Sequence, residues 1–287
     1  MRIPFRLVDV FTERPLAGNQ LCVVAEPFAG LEPPTMQAVA SEIGFSETTF
    51  VTSFGGDRYA MRIFTPDQEL PFAGHPTLGT AFVMVSEGRV SSPATQTVPI
   101  GEIPVEVDVE RGFARMRQLR AEFGSEFADR GLLAEAVGLS VDELHPGLPA
   151  QVVSTGLPPL IVPIRDPDAL RRAVRRPEVV RRVIERSGGE ELYLFAIGDD
   201  GGVTSRFFDA GAIGEDPATG SAAGPLGAYL AKRGLAGMPG EVLVRQGEQV
   251  GRPSELHVEA EPDGESFRIH VSGGVRVIGR GEFNLPD

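Results

Sequence analysis

Hydrophobic and polar positions in this 287-residue chain alternate with period two over many short stretches, and follow a helical period over only a few. Residues 5–11 read as a strand, followed by a turn at Gly18-Asn19 and a β-rich run over 21–24. Pro33-Pro34-Thr35 opens a helix through Met36, Val39 and Ala40 that stops at Gly44. Strands are predicted over 48–52 and 59–64, and an apolar helix over 78–85 that closes near Gly88. Residues 97–109 and 113–119 form a hairpin turned at Arg111-Gly112. The second half echoes this order. Residues 156–162 resemble 18–24, and a helix from about Pro167 is interrupted at Pro177 and resumes to Arg186. Strands over 192–197 and 203–208 match those at 48–52 and 59–64. A helix through Leu226, Tyr229 and Leu230 then ends near Gly234, and strands over about 242–246, 255–260, 267–272 and 275–284 finish the chain. Many strands, few helices and no βαβ alternation give an α+β class, with each half a mixed, curved sheet around a central helix. The expected domains are 1–120, completed by the C-terminal strand at about 275–287, and 121–274.

One phrase occurs twice. His75-Pro76-Thr77-Leu78-Gly79-Thr80-Ala81 and Asp216-Pro217-Ala218-Thr219-Gly220-Ser221-Ala222 share Pro, Gly and Ala in register, 141 positions apart (216 − 75). Each follows a strand-like stretch and opens an apolar one. Proline at a first helical position loses no hydrogen bond, which would make Asp216 a natural N-cap. Gly74, Gly79 and Gly220 allow the backbone to approach either another segment or a ligand. Two helix starts from two similar halves would offer free N–H groups and the positive end of the helix dipole to one carboxylate. Asp216 is thus a cap or a site residue. His75 is a structural histidine or a neutral hydrogen-bonding group, and Ser221 can offer its hydroxyl or its N–H to the same anion. Glu47, between Phe45 and Phe50, is an exposed strand-entry residue or, in a cleft, a group that moves a proton on carbon.

Composition narrows the partners. A net charge of −13 argues against nucleic acid or an anionic membrane surface, and the arginines between Arg171 and Arg186 read as a solvated helix face. The single cysteine, Cys22, excludes an intramolecular disulfide and lies in an apolar strand. The four histidines lack ligand spacing, so no metal is expected. The N-terminus alternates like a strand, and no apolar run approaches the ~20 residues of a membrane span, which makes a cytoplasmic location the expectation.

Ser46-Glu47-Thr48-Thr49-Phe50-Val51, Pro71-Phe72-Ala73-Gly74-His75-Pro76-Thr77-Leu78-Gly79 and Glu215-Asp216-Pro217-Ala218-Thr219-Gly220-Ser221-Ala222 closely resemble the PhzF-like phenazine-biosynthesis family. Gly18-Asn19, Gln246-Gly247 and Gly251-Arg252-Pro253-Ser254 resemble its further signatures, with Arg252 read as part of a turn. The resemblance implies the diaminopimelate-epimerase fold of two pseudo-symmetric domains, a homodimer, and a cofactor-free isomerase acting on a small carboxylate. It implies Glu47, His75 and Asp216 as catalytic residues, and Gly74, Gly220 and Ser221 as substrate-binding ones. The epimerases of that fold use two thiols, which a chain with one cysteine cannot supply. Two alternatives stand beside this reading: a thiol-independent epimerase of an amino-acid-like substrate, and a metabolite-binding protein without turnover.

Overall fold

The computed structural model describes residues 1–28, 31–211, 214–235 and 240–285. The chain divides into two compact units, Met1–Arg117 with Ser272–Asp287, and Gln118–Val271. The last two residues of the strand expected over 275–287 lie outside the described residues.

The first unit contains β1 (Arg2–Val10), β2 (Asn19–Val24), α1 (Pro33–Ile43), β3 (Glu47–Gly55), β4 (Arg58–Phe64), β5 (Glu69–Leu70), α2 (Gly74–Ser86), β6 (Ala94–Val98), β7 (Gly101–Asp108) and β8 (Phe113–Arg117). The second contains β9 (Glu122–Phe127), α3 (Arg130–Ala136), β10 (Ala150–Ser154), β11 (Leu160–Pro163), α4 (Pro167–Arg172), α5 (Pro177–Ser187), β12 (Leu192–Ile197), β13 (Val203–Phe208), α6 (Gly220–Lys232), β14 (Glu241–Gln246) and β15 (Ser254–Asp263). The long strand β16 (Ser266–Asn284) begins in the second unit and ends in the first.

In the first unit the strand order is β1-β2-β3-β4-β6-β7-β8-β16, and β1 also pairs with β16, from Arg2↔Asn284 to Val10↔Val275, so the sheet closes on itself. The β2–β3 and β4–β6 pairs are parallel and the neighbouring β3–β4 and β6–β7 pairs antiparallel, which makes it a mixed sheet. In the second unit β16-β15-β14-β13-β12-β11-β10-β9 repeats the pattern, with β11–β12 and β13–β14 parallel. A helix of 13 residues runs inside each sheet. α2 touches β1, β2, β3, β6, β7 and β8, and α6 touches β10, β11, β14 and β15. Both are buried on every side over their first eleven residues, as a helix surrounded by sheet must be. The fold is α+β, as expected from the pattern.

The outer elements follow their sequence signals. α1 ends at Gly44 in the left-handed conformation, and Pro177 separates α4 from α5. Along α4 and α5, Arg172, Arg181 and Arg186 pair with Glu143, Glu178 and Asp129 at 2.6–2.8 Å. The stretch expected as one strand over 97–109 is divided between β6 and β7, and β9, β10 and α3 carry no legible signal in the sequence. No helix among the described residues is long and apolar enough to cross a membrane.

Glycine lets each helix approach its sheet. A Cβ on Gly79 would lie 2.6 Å from Leu21 Cδ2 and 2.9 Å from Val10 Cγ2, and one on Gly227 would overlap Val258 Cγ1. Gly79 therefore serves packing. In a free helix Gly→Ala gains about 1 kcal/mol, whereas forcing a methyl into a packed core costs about 1–3 kcal/mol. Gly227→Ala is accordingly expected to lower stability by up to about 2 kcal/mol in denaturant unfolding; a stabilised variant would show that the contact is loose.

Candidate active site

In the first unit, β3 enters the core between β2 and β4, and Thr48, Thr49, Phe50 and Val51 are buried. Glu47 is the first residue of that strand and is 9% exposed, so it is not the solvent-facing strand entry that composition alone would allow. His75 is the second residue of α2 and is 3% exposed. Its Nδ1 lies 3.0 Å from Asn19 Nδ2, and its Nε2 lies 3.3 Å from Glu47 Oε2 without the alignment of a hydrogen bond. Burial pushes the imidazole down to about 3, against the opposing effect of a hydrogen bond to the Gln20 backbone. The ring is thus neutral at physiological pH, one nitrogen held by Asn19 and the other turned toward the Glu47 carboxyl. Gly74 is the first residue of α2, and no side chain caps this helix, so the N–H groups of Gly74 and His75 are left for another acceptor.

In the second unit, Gly220 and Ser221 open α6, again without a side-chain cap. The preceding loop is tied down at two points. Arg206 makes a bidentate pair with Glu215, 2.7 Å on each arm, and donates to the carbonyl of Ala173 at 2.6 Å. Gln246 is buried and divides its amide among several partners. Its Nε2 donates to the Asp216 carbonyl at 2.8 Å and to Thr219 Oγ1 at 3.0 Å, while its Oε1 accepts from Tyr193 Oη at 2.9 Å and from Thr219 N–H at 3.2 Å. Thr219 Oγ1 donates to Asp216 Oδ2 at 2.6 Å. Asp216 and Ser221 are both buried, at 6% and 7%.

This arrangement corrects the capping expectation. Asp216 is not the N-cap of α6, and Pro217 is not its first residue; the N-cap is Thr219. Nor does α2 wait for Pro76, since it starts at Gly74. The two helices start 146 residues apart (220 − 74), and Asp216 lies in the loop before the second. The shared prolines set the apparent register of the repeat, but Gln246 and Arg206 fix where the second helix begins.

Sequence reasoning singled out Gln246 only as part of a signature, without a role, and missed Gln96. Gln246 has a first-unit analogue in Gln96, which accepts from Tyr59 Oη at 2.8 Å and donates to Thr77 Oγ1 at 3.1 Å, while Thr77 donates to the Ala73 carbonyl at 2.8 Å. A signal existed: Ala94, Gln96, Val98 and Val242, Val244, Gln246 each place glutamine on the buried side of an alternating strand. A Cβ on Gly247 would overlap the carbonyls of Arg252 and Pro217, and Arg252 closes a backbone turn to Gly247 at 2.9 Å. Gln246-Gly247 thus buttresses the Asp216 loop. Cys22 is buried on β2 and its thiol is pushed up to about 12, far from a thiolate. Elsewhere, Glu259, Glu261 and His270 bring ligand atoms within 4.8 Å of one another at a partly exposed place, where Glu261 also faces Arg268 at 3.6 Å.

The family model for phenazine biosynthesis-like protein matches residues 8–280. The chain belongs to this family. It is 35% identical to the trans-2,3-dihydro-3-hydroxyanthranilate isomerase of Pseudomonas fluorescens, over 97% of this chain and 98% of that protein. The structure of a predicted epimerase from Pseudomonas aeruginosa superposes with a TM-score of 0.86 at 35% identity, covering 99% of this chain and all of the other. A hydroxyproline epimerase from Agrobacterium vitis shares the fold alone, at 13% identity and a TM-score of 0.70, covering the whole of this chain and 93% of that one. The chain is thus a member of an isomerase family on a diaminopimelate-epimerase-like fold.

Two measurements follow from the geometry. The His75 ring takes up a proton near 6.5 when unfolded but only near 3 when folded, so stability is full above about 6.5 and is lost as the pH falls toward 3. His75→Asn removes this term, and its thermal unfolding should depend less on pH across that window than that of wild type. Gln246→Leu leaves the Thr219 N–H, the Tyr193 hydroxyl and the Asp216 carbonyl without their partner, and is expected to cost at least ~2 kcal/mol in denaturant unfolding.

Proposed function

We propose that this chain is a cofactor-independent isomerase that moves a proton between carbons of a small carboxylate, with Glu47 as the proton carrier. The observation that carries this reading is a buried carboxyl set 3.3 Å from a histidine kept neutral by its surroundings, at the uncapped start of a buried helix. A neutral ring brings no positive charge to the Glu47 carboxyl, as an imidazolium would. In the first step Glu47 takes a proton from a substrate carbon, and the electron pair of the broken C–H bond passes into an enolate-like system. In the second, the Glu47 carboxyl returns the proton to a different carbon as the double bond moves, so no atom is gained or lost.

In the first unit the helix-start N–H of Gly74 would hold a substrate carboxylate beside Glu47, with His75 orienting the substrate and sharing proton transfers. In the second unit the start of α6 at Gly220 and Ser221, beside Asp216, would offer donors of the same kind. The resemblance to the P. fluorescens isomerase supports trans-2,3-dihydro-3-hydroxyanthranilate as the first compound to try. A thiol route finds no support in Cys22, which is buried and protonated.

The test is turnover of that compound in deuterated water, followed by NMR. Wild type should incorporate deuterium at the carbon that gains the proton, and Glu47→Gln should slow isomerisation by about 10²–10⁴-fold. Undiminished exchange in Glu47→Gln would falsify the assignment of the base. A product with inverted configuration and an unmoved double bond would mark an epimerase instead.

A further inference from the structure

We propose that Asn19 is a positioning residue that holds His75 in the tautomer with its proton on Nε2, so that the ring meets Glu47 and a substrate as a donor. The turn before Asn19 brings it there. Gly18 has a φ of +70°, and a Cβ on it would lie 2.3 Å from the Val10 carbonyl oxygen, so the tight passage from β1 into β2 requires glycine. Asn19 then opens β2 opposite Val10. Alternation places its side chain on the face of Leu21, the residue that lies against Gly79 of α2. There it is buried, beside the buried ring of His75.

The two ring nitrogens have different neighbours. Nδ1 lies 3.0 Å from Asn19 Nδ2, and Nε2 lies 3.3 Å from Glu47 Oε2. An amide nitrogen can only donate, so Nδ1 of a neutral ring must accept, which leaves the proton on Nε2. The other end of the ring requires the same answer. A carboxylate only accepts, and a bare Nε2 would set two lone pairs against each other at 3.3 Å. The Gln20 backbone also bonds to the ring, against the larger effect of burial. Asn19 keeps that contact from drawing the proton to Nδ1, because Nδ1 already faces a donor.

This tautomer divides the work of the site. His75 cannot take a proton from a substrate carbon, since its one accepting nitrogen is engaged by Asn19. Its Nε2 finds no aligned partner among the described residues, and a buried N–H left in that state is suited to an oxygen supplied by a ligand. The class of compound that fits is one whose carbonyl or carboxylate oxygen gains negative charge as the neighbouring carbon loses its proton. Glu47 is left as the group that accepts that proton. This functional meaning rests on the reaction proposed above; the tautomer does not.

The experiment is ¹⁵N–¹H correlation NMR of the histidine rings in the whole protein near neutral pH, with His75 assigned by its loss in His75→Asn. In wild type, Nδ1 should resonate as the bare, pyridine-like nitrogen and Nε2 as the protonated one. Asn19→Asp replaces the donor by an acceptor, and Nδ1 should then become protonated, as the other tautomer or as an imidazolium. The proposal is overturned if wild-type Nδ1 carries the proton, as a reversed Asn19 amide would give, or if Asn19→Asp keeps the wild-type pattern. If Asn19→Asp does not fold, wild type decides alone: ¹⁵N–¹⁵N coupling across the hydrogen bond should join the Asn19 side-chain amide to His75 Nδ1, and its absence would overturn the proposal. These spectra involve no turnover, so a failure of the proposed reaction and a failure of this inference show in different measurements.

Discussion

Gly79 in α2 and Gly224 and Gly227 in α6 set the helix backbones against the surrounding strands, closer than any side chain would allow. That contact has a consequence beyond packing. A helix enclosed by its sheet along nearly three turns must also bury its first turn, where four N–H groups lack intrahelical partners. Neither α2 nor α6 meets this demand with a side-chain cap. The proline at position 76 removes one donor from the problem. A buried end that keeps donors open is costly unless something fills it, which is why these ends, and not the outer helices, are where a ligand is to be sought. Of the outer helices, α3 and α4 are capped by Asp129 and Asp166, while α1 and α5 lack a side-chain cap but start at exposed prolines, where water can serve their donors.

The same enclosure forces the polar groups near each helix start to be satisfied within the unit. Gln96 and Gln246 do this from neighbouring strands, each reading a tyrosine hydroxyl and a threonine. A glutamine suits the task because one amide offers two donors and an acceptor with two lone pairs, so a single buried side chain can fix several groups. These networks fix the backbone carbonyls of Asp216 and Ala73 just before each helix start. The low dielectric that makes them worthwhile also moves charge. It strips His75 of its proton.

Much of this is legible in the sequence. Period-two alternation locates most strands, and the glycine and proline signals place the end of α1 and the break between α4 and α5. The three motifs contain Glu47, Gly74, His75, Asp216, Gly220 and Ser221. The Glu47–His75 pair is legible only as two separate candidates. They are 28 residues apart (75 − 47) and meet because β3 and α2 both start at one end of the unit. The register of the repeat misleads because similarity at proline and glycine outweighs the length of the loop before α6. That loop is held by side chains outside the phrase, Arg206 and Gln246, and local composition cannot report them. β9, β10 and α3 escape for a related reason: their residues are ordinary, and tertiary pairing gives them their form.

The corrected register changes what the symmetry means. Aligned by phrase, the halves exchange a histidine for an aspartate at one point. Aligned by strand register, Thr48 of the first unit answers Leu192 of the second, so Glu47 answers Glu191, and Asp216 lies in the loop before α6. The difference is then electrostatic and not positional. One unit sets its glutamate 3.3 Å from a buried neutral ring. In the other, desolvation first and then the neighbouring acids push the glutamate carboxyl up to about 8. A duplicated scaffold can thus give one backbone position two electrostatic surroundings, by changing what the neighbouring segments present to it.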